Sequence, residues 1–163
     1  MDGSFRSTWE CFISQPQTGG ETHRLSRQRD RNHRVPDMAK QFSALLVYER
    51  EGPIRSLEAN ISSQGVRTLR SRNCSEVREV LREMEPPDLI MTDVSLPDGT
   101  WEDVLSSANS VPATVPVIVV SHIVEMALYL DVLQSGAYDF IVPPISFWDL
   151  AYIIRGALLK RWS

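Results

Sequence analysis

Glu49, Asp93 and Ser121 are the side chains in this sequence best placed to do chemistry together. Each stands at the end of a short apolar run: Ala44–Tyr48, Leu89–Thr92 and Pro116–Val120. If these runs are neighbouring parallel strands, two carboxylates and a hydroxyl converge beyond their carboxyl ends, where open parallel sheets collect functional residues. Hard oxygen donors grouped this way suit Mg²⁺, which takes one or two carboxylates, a carbonyl and waters. A carboxylate beside Mg²⁺ can also attack a phosphoryl group, because the metal neutralises charge on the transferring oxygens. The plainer alternative is that Asp93 and Ser121 satisfy loop amides or cap the next helix.

The elements that must position these groups are readable from residue 43 onward. Ala44–Tyr48 has buried-strand length, and Pro53 then opens a helical period at Ile54, Leu57 and Ile61. Gly65 stops that helix, and Val66–Leu69 reads as a second strand. Asn73 or Ser75 caps a second helix with Val77, Val80, Leu81 and Met84 on one buried stripe. Pro86-Pro87 ends it, Asp88–Thr92 is a third strand, and a Pro-Asp-Gly turn leads to a short helix with Trp101, Val104, Leu105 and Ala108. Pro116–Val120 is a strand, Ile123–Gln134 a helix and Tyr138–Val142 a strand. Phe147–Lys160 is a helix with Leu150, Ala151, Ile154 and Leu158 on one face. Continuous apolar strands mean that both sheet faces are covered. Strict alternation of strand and helix implies an α/β, doubly wound parallel sheet.

Composition and charge exclude several classes. The chain has 163 residues, 42% of them hydrophobic, and a net charge of −4. Residues 1–40 hold seven Lys/Arg against five Asp/Glu, and residues 41–163 hold ten against sixteen. So acidic a domain is a poor match for a phosphate backbone, and no direct DNA binding by it is expected. No run nears the roughly 20 apolar residues of a membrane span, and no apolar h-region of a signal peptide is seen, so no membrane is expected as a partner. Cys11 and Cys74 fit neither a disulfide framework nor a zinc knuckle, and a cytoplasmic location is expected. Residues 1–40 are polar and aperiodic and are expected to form a disordered or poorly ordered N-terminal tail, with a folded domain over 41–163. Met38, just before the first strand, offers an alternative start.

Residues 43–160 resemble the receiver domain of two-component response regulators. The resemblance rests on Pro87-Asp88-Leu89-Ile90-Met91-Thr92-Asp93 with Leu96-Pro97-Asp98-Gly99, on Pro116-Val117-Ile118-Val119-Val120-Ser121, and on Gly136-Ala137-Tyr138-Asp139-Phe140-Ile141-Val142 leading into Pro144. Spacings of 44 residues from Glu49 to Asp93 and 28 from Asp93 to Ser121 agree with it. It implies a flavodoxin-like five-stranded sheet in the order 2-1-3-4-5, with helices on both faces. It also implies phosphorelay signalling and no enzyme beyond formation and loss of an acyl phosphate. By resemblance Asp93 is the phospho-acceptor, Ser121 the switch hydroxyl and Phe140 the aromatic switch. Mg²⁺ would be held by Glu49, Asp93 and the backbone carbonyl of Ser95. The implied phosphodonor is a histidine kinase or phosphotransfer protein. The implied output is a downstream protein docking on the face made by helix four, strand five and helix five, from a monomer or weak homodimer. A cis Pro143–Pro144 bond is expected.

Three positions depart from the family. Tyr48 stands where the first of two acids is usual, Pro143 replaces a lysine, and His122 replaces a small residue beside the site. A charge-assisted contact like that of the missing lysine is worth roughly 1.5–3 kcal/mol, so phosphotransfer without it slows about ten- to a hundredfold. Arg50 could fold over the site or point to solvent, and Glu51 could replace the missing acid or support the next helix N-terminus. A phosphorylation-independent pseudo-receiver, acting as a protein-interaction module, is the alternative function. A nucleotide-binding enzyme finds little support, because Glu49-Arg50-Glu51-Gly52-Pro53 after strand one offers a single glycine.

Overall fold

The computed structural model describes residues 41–162, which fall in one compact unit spanning Ala39–Ser163. The expected tail over 1–40, with Met38 and Cys11, lies outside the described residues. The elements in chain order are β1 (Ser43–Val47), α1 (Pro53–Ser63), β2 (Arg67–Ser71), α2 (Cys74–Glu83), β3 (Leu89–Asp93), β4 (Ser95–Leu96), β5 (Gly99–Thr100), α3 (Trp101–Asn109), β6 (Val117–Val120), α4 (Met126–Gln134), β7 (Asp139–Ile141) and α5 (Phe147–Trp162).

Five strands form one parallel sheet in the order β2-β1-β3-β6-β7, and β4 pairs antiparallel with β5 as a separate two-stranded ladder. This is the flavodoxin-like order expected, with β6 and β7 as fourth and fifth strands. The central strands are buried on both faces because helices cover both. Ala44, Leu46, Met91 and Ile118 pack with Ile54, Leu57 and Ile61 of α1 and with Leu150, Ile154 and Ala157 of α5. On the other face Leu45, Val47, Ile90, Val117 and Val119 pack with α2, α3 and Val132 of α4. Among the described residues no helix is long and apolar enough to cross a membrane.

Local signals explain the helix ends. Pro53 opens α1, and Gly65 leaves it with a φ of 76°, a left-handed turn that a side chain would strain. Asn73, of the two candidates, caps α2 by accepting from the Glu76 N–H at 2.8 Å. Thr100 and Asp103 form a reciprocal capping box on α3. The Pro143–Pro144 bond is cis, as expected.

Three expectations are corrected. The fourth helix begins at Met126 instead of Ile123, because the Ile123 N–H is taken by the Ser121 hydroxyl at 3.2 Å and the chain turns there. Met84 is not on the buried stripe of α2: it is the C-cap residue, extended and exposed. The second strand runs over Arg67–Ser71, later than its apolar residues suggest, because as an edge strand it is only partly covered. The expected Pro-Asp-Gly turn is present, as the tip of a short hairpin, β4–β5, closed across Pro97-Asp98.

Candidate functional site

Asp93 ends β3, and its Cα partner across the sheet is Val120 of β6, so Ser121 follows one residue beyond that pairing. Asp93 is thus at the carboxyl edge of the sheet, with the loop from β1 into α1 above it. Gly52, the N-cap residue of α1, closes over the carboxylate: a Cβ at Gly52 would lie 2.9 Å from Asp93 Oδ2. The other carboxylate oxygen, Oδ1, is buried and has no hydrogen-bond partner. Desolvation pushes the Asp93 carboxyl up to about 6, against the opposing pull of His122 and of the Ile54 N–H at the start of α1.

The other expected residues are placed differently from a converged acid cluster. The ring of Tyr48 is buried on the α1–α5 face of the sheet, where its hydroxyl donates to Glu58 Oε2 on α1 at 2.9 Å. The guanidinium of Arg70, from β2, sits 4.2 Å from the centroid of that ring and also donates to the Glu49 carbonyl at 3.1 Å. A hydrophobic face and a stacked cation therefore hold the aromatic ring at this strand end. The Glu49 carboxylate is half exposed and lies 3.7 Å from Arg50 Nε, while the Arg50 side chain is 86% exposed. Arg50 therefore points to solvent, as the plainer reading had it. Glu51 is exposed, and the first turn of α1 carries no acidic residue.

Ser121 is buried, and its hydroxyl accepts from the Ile123 N–H, the loop-closing role of a strand-terminal serine. Phe140 is partly buried against the α2–α3–α4 side of the core, with its ring edge-on to Tyr129 of α4 at 5.9 Å. Ser95 is exposed at the start of the β4–β5 hairpin, and His122 is exposed beside Asp93.

The expected Mg²⁺ donors can be tested against this arrangement. Asp93 Oδ1 is a bare buried acceptor, which suits a cation. Glu49 faces a guanidinium instead, and Tyr48 brings no carboxylate. Among the described residues no group of three or more His, Cys, Asp or Glu side chains comes together to hold a metal ion.

One residue at this end of the molecule was not singled out from the sequence. Asp98, at the tip of the β4–β5 hairpin, accepts from the Cys74 N–H at 2.7 Å, from the Ser75 N–H at 3.0 Å and from the Ser75 hydroxyl at 2.9 Å. Backbone donation from Cys74, joined by the Ser75 contacts, holds its carboxyl down at about 2. Asp98 ties the loop after Asp93 to the first turn of α2. The pairing spans more than 20 residues of sequence, so no local pattern announces it.

A family model described as "Response regulator receiver domain" matches residues 45–155. The chain is similar to the response regulator protein PilR of Pseudomonas aeruginosa, 31% identical over 117 residues that cover 71% of this chain and 26% of that protein. It spans about a quarter to a half of the length of the first curated relatives it matches. Two solved structures are similar in fold. One is a putative response regulator from Chloroflexus aurantiacus (TM-score 0.65, 20% identity, 74% of this chain and 99% of that one). The other is the receiver domain of sensor histidine kinase PA1611 from Pseudomonas aeruginosa, solved with a magnesium ion coordinated in its active site cleft. Its TM-score is 0.62 at 19% identity, covering 72% of this chain and 97% of that one.

Proposed function

Because this chain belongs to the response regulator receiver domain family, we propose that it signals as a receiver-fold interaction module whose binding to partners does not depend on an acyl phosphate at Asp93. The observation that carries this reading is the arrangement at the end of β1. The ring of Tyr48 is buried on the α1–α5 face and bonded to Glu58, and the Glu49 carboxylate faces Arg50. The position that usually holds a lysine is Pro143, part of a cis bond, so no cation from that strand end faces the aspartate. Phosphoryl transfer depends on positive charge placed around the moving oxygens, and this pocket offers little of it. Receiver domains interact with histidine kinases or phosphotransfer proteins, and a protein of that class is the partner proposed here.

A second reading is favoured by one atom. Asp93 Oδ1 is buried without a hydrogen-bond partner, which suits a group waiting for a ligand. In that reading Glu49 leaves Arg50 and, with Asp93 and the Ser95 carbonyl, holds Mg²⁺. Asp93 then takes a phosphoryl group from a phosphohistidine or from acetyl phosphate, and Ser121 and Phe140 relay the change.

Intact-mass spectrometry after incubation with acetyl phosphate, with and without Mg²⁺, separates the two. The first reading expects no added phosphoryl group in either condition. A Mg²⁺-dependent gain of one phosphoryl group that is lost in Asp93→Asn overturns it and establishes the second.

A further inference from the structure

We propose that the groove between α2 and α3 binds a phosphate monoester on a hydroxylated stem, the chemistry shared by sugar phosphates and nucleoside monophosphates. The groove is a cavity of about 450 Å³, within the roughly 300–1,000 Å³ of small-molecule sites. Arg78 and Arg82 line it from α2, and Ser106, Ser107 and Ser110 line it from α3 and its C-cap. Its lining includes neither Glu49, Asp93, Ser95 nor Ser121, so binding there is independent of both readings given above.

The arginines supply the anion site. They stand four residues apart, so they rise on one face of α2 with Cβ atoms about 5–6 Å apart. Glu76, Glu79 and Glu83 share that helix, yet among the described residues no carboxylate lies within ion-pair distance of either guanidinium. Among the same residues Arg78 donates only to the Ser75 hydroxyl, at 3.2 Å, and Arg82 to nothing. The acid that lines the groove, Asp103, has its Oδ2 engaged by the Thr100 N–H at 2.9 Å in the capping box of α3. One guanidinium fork already satisfies a carboxylate. Two forks a helical turn apart match the three terminal oxygens of a phosphoryl group.

The serines select the stem. The Ser107 hydroxyl donates to the Asp103 carbonyl at 2.8 Å and the Ser110 hydroxyl to the Ser107 carbonyl at 2.6 Å. Each has spent its proton and keeps only lone pairs, so neither donates to a phosphate. Both can accept, and a ligand that satisfies them brings hydroxyl or N–H donors of its own. The Ser106 hydroxyl is exposed, makes no hydrogen bond among the described residues, and can serve in either direction. Leu81 and Val111 complete the lining with apolar surface. An anion on the α2 wall, donors on the α3 wall and a carbon frame joining them describe a phosphorylated polyol or nucleoside. Inorganic phosphate meets the first requirement alone.

Proton–nitrogen correlation NMR of the full chain tests this, with AMP, glucose 6-phosphate and inorganic phosphate each titrated into the millimolar range at constant ionic strength. The expected result is saturable movement of the Arg82 and Ser106 amides, with at least one of the two esters bound about tenfold or more tightly than inorganic phosphate. Affinity for that ester falls about tenfold or more in Arg82→Gln and in Arg78→Gln. Both arginines are exposed, so neither substitution disturbs the core. Arg55→Gln, on α1 and outside the groove, leaves binding unchanged. Whichever ester binds identifies the stem. No saturable movement with any of the three overturns the proposal, as does binding indifferent to both Arg78→Gln and Arg82→Gln. Inorganic phosphate bound as tightly as both esters overturns the hydroxylated stem.

Discussion

Gly52 lies directly over the carboxylate of Asp93, so close that a methyl group there would sit 2.9 Å from Oδ2. Its backbone is extended, so no unusual dihedral angle demands a glycine; the aspartate beneath it does. The contact explains both the desolvation of Asp93 and the direction of its proton affinity.

That affinity has a consequence for stability. The carboxyl binds its proton up to about 6 in the folded protein, against 3.8 ordinarily. Between these values the folded state holds more protons than the unfolded chain, so the contribution of Asp93 becomes less favourable as pH rises from 3.8 to about 6 and stays so above. Asp93→Asn, which keeps the shape without the charge, is expected to stabilise the domain by about 1 kcal/mol at pH 7 after allowance for solvent screening. The gain vanishes below pH 3.8, and urea unfolding at a series of pH values measures it.

Asp98 carries the opposite sign. Its carboxyl is held down at about 2, so the cap it places on α2 is fully present above 3.8 and is lost as pH falls toward 2. Asp98→Ala should cost about 1–2 kcal/mol at pH 7, the worth of a good helix cap. Hydrogen exchange should show the loss first at the amides of Cys74 and Ser75, which donate to it. An unchanged exchange rate at those two amides would refute the cap.

Tyr48 should prove structural. Tyr48→Phe removes the bond to Glu58 and is expected to cost about 1 kcal/mol, leaving the Arg70 stack in place. Tyr48→Asp restores the residue type usual in the family but empties a buried ring site. It should cost about 3 kcal/mol or more by thermal or denaturant unfolding. If Tyr48→Asp folds as stably as the parent, the ring is not holding this corner of the core.

At the opposite edge of the sheet, Asp88 and Arg161 form a buried pair, with Arg161 Nε 3.4 Å from Asp88 Oδ1 and side-chain exposures of 9% and 2% for Arg161 and Asp88. Arg161 also donates to the carbonyls of Pro86 and Pro87, and Asp88 accepts from the Ser43 N–H at 2.9 Å. The pair fastens the end of α5 to the start of β3. Asp88→Ala removes the carboxylate that faces a buried guanidinium and should cost about 3 kcal/mol. Chemical denaturation of the full chain reads this directly, and a cost under about 1 kcal/mol would show that the pair is solvated in solution.

The sequence by itself determined the architecture. Apolar runs such as Leu89–Met91 and Val117–Val120 have no polar alternation, so they can exist only between two covered faces. Helical periods such as Ile54, Leu57 and Ile61 supply the covers. Through its resemblance to receiver domains it also placed Asp93 and Ser121 on adjacent strand ends, and β3 does pair with β6. The start of α4 was not legible, because Ser121, just beyond the end of β6, competes for the Ile123 amide through its side chain. The state of the site was decided only in three dimensions. Whether Glu49 faces Asp93 or Arg50, which side of the sheet takes the ring of Tyr48, and that Asp98 caps a helix more than 20 residues away all depend on contacts between distant segments. Local sequence carries hydrophobic period and turn chemistry. The direction of a polar side chain at a strand end is set by whichever donor or cation the packed fold brings nearest.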